Sequence, residues 1–446
     1  MRDIIPADSM LSRAFDVGQA LDEGHWTAYQ KTLVALAALT ILFDGIDNQL
    51  LGVTIPSLMR EWGLARAAFA PVASLSLLGM MLGGAIAGIA GDRFGRRSVL
   101  FVNMGVFGIC TLAVAAVHDV RAFAALRFVT GLGLGGAIPN ATALAAEYVP
   151  RRRRALAVTF TIVCVPLGAS LAGLVSTPLL PMIGWRGLFT AGGICPLVIA
   201  AALSRVLPES PRYLARHRER WDELAALLRR MGHPLGASSV FSSESSSSTR
   251  GRVVDLFRNG YAADTMLLWI AFFSCLVAIY LGFNWLPSVV AGAGLASVSS
   301  TAVGVFNLGG VAGALGGGAV ITRYGSRGTM LAMAVGAVAG CVFLSRLSLD
   351  AHTSVFRLLA ALTFAGGLIN ALQSTLYALA GHVYPTSVRA TGIGAAASFG
   401  RIGAVLSGYA GPWALGYGGT PSFFLLMGGA VAVTCVALAG VRRHVP

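Results

Sequence analysis

The 446-residue chain carries little charge: 12% of its residues are Asp, Glu, Lys or Arg, against 56% apolar ones, and the mean hydropathy is +0.73. A soluble domain has about twice that charged fraction, so a water-soluble globular fold is excluded. Lysine is almost absent, Lys31 being the only one. The GxxxxGK[ST] phosphate loop is missing, which excludes an ATP-driven pump built on this chain alone, and so is HExxH. "GLGLGG" (131–136) fits GxGxxG, but it follows no strand and lies in an apolar run, so it is not a dinucleotide loop. The six cysteines (Cys110, Cys164, Cys195, Cys275, Cys341 and Cys435) stand singly in apolar runs, without CxxC or metal-type spacing. They read as small packing hydrophobes. No metal, no cofactor and no enzymatic chemistry are expected, and no signal-peptide core leads the chain.

What the chain has instead is long apolar runs, each of the length that crosses a membrane as a helix. The spans are predicted at 32–57, 68–91, 98–118, 121–147, 155–177 and 186–207, then at 263–291, 299–322, 329–348, 353–381, 388–413 and 420–441. The expectation is therefore an all-α integral membrane protein of twelve helices in two six-helix halves, 32–207 and 263–441. Between them, 208–262 holds "PESPRYLARHRERWDELAALLRRMG", which reads as a basic amphipathic helix on the membrane surface, and "SSVFSSESSSSTR", a flexible linker. Residues 1–31 and 442–446 are terminal segments.

The net charge of +14 does not point to nucleic acid, because no basic stripe with interleaved aromatics occurs. The arginines bunch in alternate connections instead: Arg93, Arg96, Arg97, Arg151 to Arg154, the cluster at 212–230, Arg323, Arg327 and Arg389. By the positive-inside rule these loops and both termini are cytoplasmic, in a bacterial inner membrane. The halves repeat. "LGMMLGGAIAGIAGDRFGRR" (78–97) aligns without gaps to "LGGVAGALGGGAVITRYGSR" (308–327), and "EYVPRRRRA" (147–155) to "HVYPTSVRA" (382–390). Helix packing explains shared glycines. It does not explain arginines shared at one loop offset, and duplicated halves around a central site mark a transporter.

Two aspartates sit where oil is expected. Asp44 and Asp47 lie mid-way along the first span, where two charged carboxylates cost roughly 5–7 kcal/mol on the insertion scale. At i and i+3 they share a helix face about 5–6 Å apart. Carboxylates that close resist double ionisation, which suits a proton carrier; the alternative is a static pair holding an arginine. Arg401, about 18 Å beyond Arg389 along the eleventh span at 1.5 Å per residue, is the expected matching cation and the grip for a carboxylate. Arg127 and Arg357 are judged shallower and nearer the outer side. In the tenth span Asn370, Gln373, Ser374 and Tyr377 form one helical stripe that lines a cavity or glues helices. In the seventh, Asn284 and Trp285 precede Pro287, Trp285 being either a ring-stacking surface or an interfacial anchor.

"GIAGDRFGRR" (88–97) resembles the hallmark loop between the second and third helices of the major facilitator superfamily, and the resemblance extends over nearly the whole chain. It assigns gating roles to Asp92, Arg93, Gly95, Arg96 and Arg97. Arg323 and Arg327 belong to a second copy in which Thr322 replaces the aspartate. Glu147, at the end of the fourth span, is opposed by the helix dipole there and is expected to pair with this loop; Arg154 and its repeat partner Arg389 complete the set. "DGIDNQLLGVTIP" (44–56), "RFVTGLGLGGAIPNATALAAEYVPRRRR" (127–154) and "YPTSVRATGIGAAASFGRIGAVLSG" (384–408) resemble the aromatic acid:proton symporters of that superfamily. This resemblance implies proton-driven uptake of a benzoate- or hydroxybenzoate-like acid by a monomer in the lipid bilayer, with Asp44 and Asp47 essential. The alternatives are a proton-coupled exporter on the same fold and a non-transporting membrane sensor. "VPLGASLAG" in the fifth span lacks the G-P-x-x-G-G of the first, and the chain shows no soluble signalling domain for the second.

Overall fold

The computed structural model describes residues 15–233, 241–242, 253–258, 260–347, 349, 354–384 and 388–445, without the side chains of Ala155, Thr322 and Ala390. The serine-rich stretch (apart from Phe241–Ser242), the Thr322 side chain and Pro385 fall outside the described residues. Among the described residues, ten helices are long and apolar enough to cross a membrane. The first four spans are Ala28–Trp62, Ala70–Phe94, Arg96–Val114 and Val120–Glu147. The seventh to tenth are Ala262–Gly292, Ser299–Tyr324, Ser326–Arg346 and Val355–Val383.

The other two helices, Arg154–Val206 and Arg389–Gly440, have 53 and 52 residues. Each would be nearly 80 Å long if straight, more than twice the hydrocarbon thickness. Each breaks once, at Gly184 (φ 67°) and at Gly418 and Gly419 (φ 64° at Gly419). Positive φ is cheap only without a Cβ, so glycine is where the chain reverses. The breaks divide these helices into the fifth and sixth and the eleventh and twelfth spans. Twelve spans result, six on each side of the linker.

Lipid tails give helices no hydrophobic reason to associate, so close backbone approach has to supply the contact. A Cβ added at Gly83 would stand 2.0 Å from the Leu132 carbonyl oxygen, and one at Gly135 2.0 Å from that of Met80, so the second and fourth spans touch backbone to backbone. The repeat does the same: a Cβ at Gly313 would meet the Gly367 carbonyl at 2.1 Å, joining the eighth and tenth spans. Gly135→Leu is expected to cost about 3 kcal/mol by overpacking, read as lower thermal stability of the detergent-solubilised protein. Gly88→Ala, where a Cβ meets nothing within 4 Å, should leave it unchanged.

The region after the sixth span differs from expectation. It is not one helix lying on lipid but a short helix, Pro211–Ala215, a turn, and a second helix, Trp221–Arg230. Leu224, Leu227 and Leu228 of the second are buried in a cluster with Val17 and Leu21 of the N-terminal helix Val17–Glu23 and with Leu144 of the fourth span. Protein, not membrane, covers its apolar face. Asp22 fastens this layer by ion pairs to Arg154 and, at 3.0 Å, to Arg212.

The halves meet through hydrogen bonds that lie at the depth of Arg401 or nearer the arginine-poor end. Gln49 Nε2 donates to the Phe283 carbonyl (3.0 Å) and Asn307 Nδ2 to Gln49 Oε1 (3.2 Å). Ser170 donates to the Gly304 carbonyl (2.9 Å), Ser74 to that of Val405 (2.8 Å) and Arg66 to that of Ser288 (3.0 Å).

Candidate functional site

The two aspartates have different surroundings. Asp47, 1% exposed, accepts from Thr111 Oγ1 at 2.8 Å and forms an ion pair with Arg127 Nη1 at 2.8 Å; Arg127 is also 1% exposed. Its other Nη lies 3.4 Å from Ser76 Oγ, and its guanidinium lies 6.0 Å from the Phe189 ring centroid. Both carboxylate oxygens of Asp47 are thus satisfied, by the third and fourth spans. This corrects the expected pairing: Arg127, not Arg401, is the cation that neutralises a first-span aspartate. Position 47 faces the third and fourth spans, and Arg127 enters the fourth early enough to meet it.

Asp44 is fully buried and has no such partner. Asn48 Nδ2 reaches its Oδ1 at a long 3.4 Å, and Oδ2 has no hydrogen-bond partner. Among the described residues no cation lies within ion-pair distance of it. Arg401 is within electrostatic reach of Asp44, and likewise of Tyr280 and Tyr377. Its one hydrogen bond goes to the Met80 carbonyl, at 3.2 Å across the interface between the halves. Arg401 is half-buried and, among the described residues, grips no carboxylate.

The seventh and tenth spans supply the rest of the surroundings, and the expected stripe divides. Gln373 and Tyr377 belong to the centre. The Gln373 amide is buried, and it interacts with the Tyr377 hydroxyl without a close, well-aligned hydrogen bond. Asn370 instead donates to the Gly366 carbonyl of its own helix (2.9 Å) and packs against Gly310 of the eighth span. Ser374 bonds back to the Asn370 carbonyl (3.0 Å). Trp285 is fully buried, donates to the Ser407 carbonyl (3.2 Å) and crowds Gly411, so it packs the seventh span on the eleventh and offers no ring face for stacking. Asn284 is 4% exposed with its Nδ2 unpaired. Tyr280, one turn before it, was not singled out from the sequence. It shares the Arg401 neighbourhood, but one tyrosine in an apolar run carries no periodic signal.

At the arginine-rich end, Gly95 (φ 94°) turns the chain between the second and third spans. Arg96 holds Asp92 and Glu147, both at 2.9 Å, and Ser210 donates to the second Glu147 oxygen. The pairing expected for Glu147 is therefore present. Arg97 donates from Nε to the Leu207 carbonyl at 2.6 Å and from Nη2 to that of Ser204. Glu209 accepts the Arg97 backbone N–H at 3.0 Å, capping the third span from another segment. Burial pushes the Tyr148 hydroxyl well above its ordinary range, so it stays a donor to the Pro208 carbonyl. Arg93 is exposed over Phe94, Arg154 donates to the Ala146 carbonyl as well as holding Asp22, and Arg389 donates to the Tyr384 carbonyl at 3.3 Å.

The family model of the Major Facilitator Superfamily matches residues 37–352 and, overlapping, 296–446. The chain belongs to the major facilitator superfamily. Among the relatives of this superfamily member, the gallate transporter of Pseudomonas putida is 36% identical over 417 residues, covering 93% of this chain and 92% of that protein. The 4-hydroxybenzoate transporter PcaK of Pseudomonas aeruginosa is 36% identical over 439 residues, 96% of each chain. The benzoate transport protein of Acinetobacter baylyi is 31% identical, with 91% and 88% covered. These place the chain with the aromatic acid transporters of the superfamily, which are not enzymes. The Escherichia coli xylose transporter XylE, solved in a partially occluded inward-open conformation, superposes with a TM-score of 0.73 at 18% identity, over 92% of this chain and 97% of that one. That likeness gives the fold. Asp44 and Arg401 each lie about mid-way along their own spans, the first in the amino-terminal half and the eleventh in the carboxyl-terminal half.

Proposed function

We propose that this transporter imports an aromatic carboxylate together with protons by alternating access. It would act as a monomer in a bacterial inner membrane, with the arginine-rich loops and both termini in the cytoplasm. One observation carries the reading: Asp44 is a buried carboxyl with an unpartnered oxygen, beside an arginine that holds no carboxylate. An unpaired charge is costly in such a place, so the carboxyl takes up a proton and gives it away where water or a cation reaches it. Asp47 is neutralised by Arg127 and acts on Asp44 as a fixed neighbour. Arg401 binds the substrate carboxylate, and Tyr280, Tyr377 and the amides of Asn284 and Gln373 surround the ring. Asp92, Arg96 and Glu147 hold the gating loop, with the arginines around them.

The decisive experiment is uptake of labelled 4-hydroxybenzoate, gallate and benzoate into proteoliposomes, with and without an inward proton gradient. Uptake indifferent to the gradient refutes symport; no uptake of any of the three refutes the substrate class. Arg401→Ala should reduce uptake by about 100-fold, the upper range for a charged hydrogen bond. Folding should be retained, because Arg401 bonds only one backbone carbonyl.

Gln373 reads the ring. Its buried amide has only the Tyr377 hydroxyl near it and no close hydrogen bond, so a ring hydroxyl placed there has both a donor and an acceptor to meet. A site built to bond a hydroxyl discriminates strongly against the analogue lacking it. Gln373→Leu should therefore lower the ratio of 4-hydroxybenzoate to benzoate uptake by about tenfold or more. An unchanged ratio in competition assays would move hydroxyl recognition elsewhere.

A further inference from the structure

The second copy of the hallmark loop keeps arginines but lacks the anions of the first. In the first, Arg96 holds Asp92 and Glu147, and Glu209 caps the third span at Arg97. In the second, Arg323 lies over the Tyr324 ring at 5.4 Å, and Arg327 makes one long hydrogen bond, 3.4 Å to the Ala439 carbonyl. Both side chains are exposed, and neither forms an ion pair among the described residues. The ninth span begins after Gly325 with no side-chain cap.

Beside these arginines opens a groove of about 510 Å³. Val320 and Tyr324 of the eighth span, Gly328 and Gly336 of the ninth, and Phe364 and Leu368 of the tenth line it. Gly328 has no atom within 4 Å of where a Cβ would stand. Tyr324 and Phe364 are 69% and 56% exposed. From Gly328 to Gly336 the groove runs roughly 12 Å into the membrane-spanning region, at 1.5 Å per residue.

We propose that this groove seats an acyl chain of an anionic phospholipid whose headgroup phosphate is held by Arg323 and Arg327. A groove open on the flank of a spanning helix bundle takes up a hydrocarbon tail whatever the headgroup. Arg323, whose guanidinium lies against the ring of the groove-lining Tyr324, and Arg327, next in sequence to the lining Gly328, make it selective for a negative one, because basic pockets between spanning helices attract anionic headgroups and arginine matches phosphate geometry. The lipid phosphate then replaces the carboxylates missing from the second copy. The amino-terminal half carries its own anions at this end, and the carboxyl-terminal half takes one from the membrane.

The test is native mass spectrometry of the purified protein in detergent, titrated with phosphatidylglycerol or phosphatidylcholine. The expected result is about a thirtyfold preference for phosphatidylglycerol, the scale of two arginines near a membrane surface. Arg323→Ala/Arg327→Ala should lose the preference while keeping the fold, since both side chains are exposed. Gly328→Leu should fill the groove and reduce retention of both lipids. Glycerol phosphate in excess should leave phosphatidylglycerol bound, since the tail contributes. Equal retention of the two lipids by the unaltered protein, an undiminished preference in the double variant, full retention in Gly328→Leu, or displacement by glycerol phosphate would each overturn the proposal.

Discussion

Asp44→Asn is expected to abolish accumulation of the aromatic acid against its gradient, bringing the final inside-to-outside ratio to unity. Exchange of labelled for unlabelled acid across the same vesicles should persist. Asparagine keeps the shape and the contact with Asn48, but it neither binds nor releases a proton between pH 4 and 9. Coupling exists only where a bound proton changes the free energy of the substrate-bound states; a residue that cannot be protonated removes that difference and leaves the binding surface. The two measurements therefore separate. Loss of both would show a damaged site, and continued accumulation would show that the proton travels elsewhere. Wild-type uptake should rise as the outside is acidified at constant interior pH, and the variant should not respond.

The contrast between Asp44 and Asp47 was the part of the site hidden from the sequence. Spacing placed both on one face of the first span, and the structure keeps them there. It does not reveal that position 47 meets Arg127, 80 residues along the chain, while position 44 does not. A partner on another span leaves no trace in local periodicity, and the depth of Arg127 within its own span made it look peripheral. The same limit explains Glu209. In the sequence it belongs to the stretch read as an amphipathic helix after the sixth span, and only the fold brings it under the start of the third span. Trp285 differs for a related reason: the sequence offers a stacking surface or an interfacial anchor, and Gly411, on a different span, seats it instead as a packing residue. By contrast, the twelve spans and the two halves were legible, because length, apolarity and charge alternation are local properties that lipid imposes directly, and the pairing of Glu147 with the 92–97 loop was legible from the helix dipole that opposes a carboxylate there.

The polar contacts across the interface favour a division of labour. Gln49 lies on the same span as Asp44, five residues further toward the arginine-poor end, and it bridges the seventh and eighth spans by hydrogen bonds that use no charge. A neutral lock of this kind opens and closes without moving a charge through the membrane. That leaves the proposed roles of Asp44, taking up a proton, and Arg401, pairing with the substrate carboxylate, as the two changes of charge in the cycle. The first span thus carries the packing contact, the proposed proton site and the fixed ion pair within two turns.

The fixed pair gives the second large effect. Among the described residues, Arg127→Leu removes the one cation paired with Asp47 and leaves a carboxylate that is 1% exposed, held by Thr111. Breaking a buried pair from one side costs about 3–5 kcal/mol, so Arg127→Leu should lower thermal stability sharply, and Asp47→Leu, which strands Arg127, should do the same. The double variant Asp47→Leu/Arg127→Leu strands neither charge. Buried ion pairs replaced on both sides by apolar groups are often neutral in stability, so the double variant should recover most of the loss. In a double-mutant cycle the pair should then show a coupling of more than about 2 kcal/mol, within the range for directly contacting groups. Purely additive penalties in thermal unfolding would mean that Asp47 is already uncharged in the folded protein. In that case Asp47, not Asp44, becomes the better candidate for the proton site.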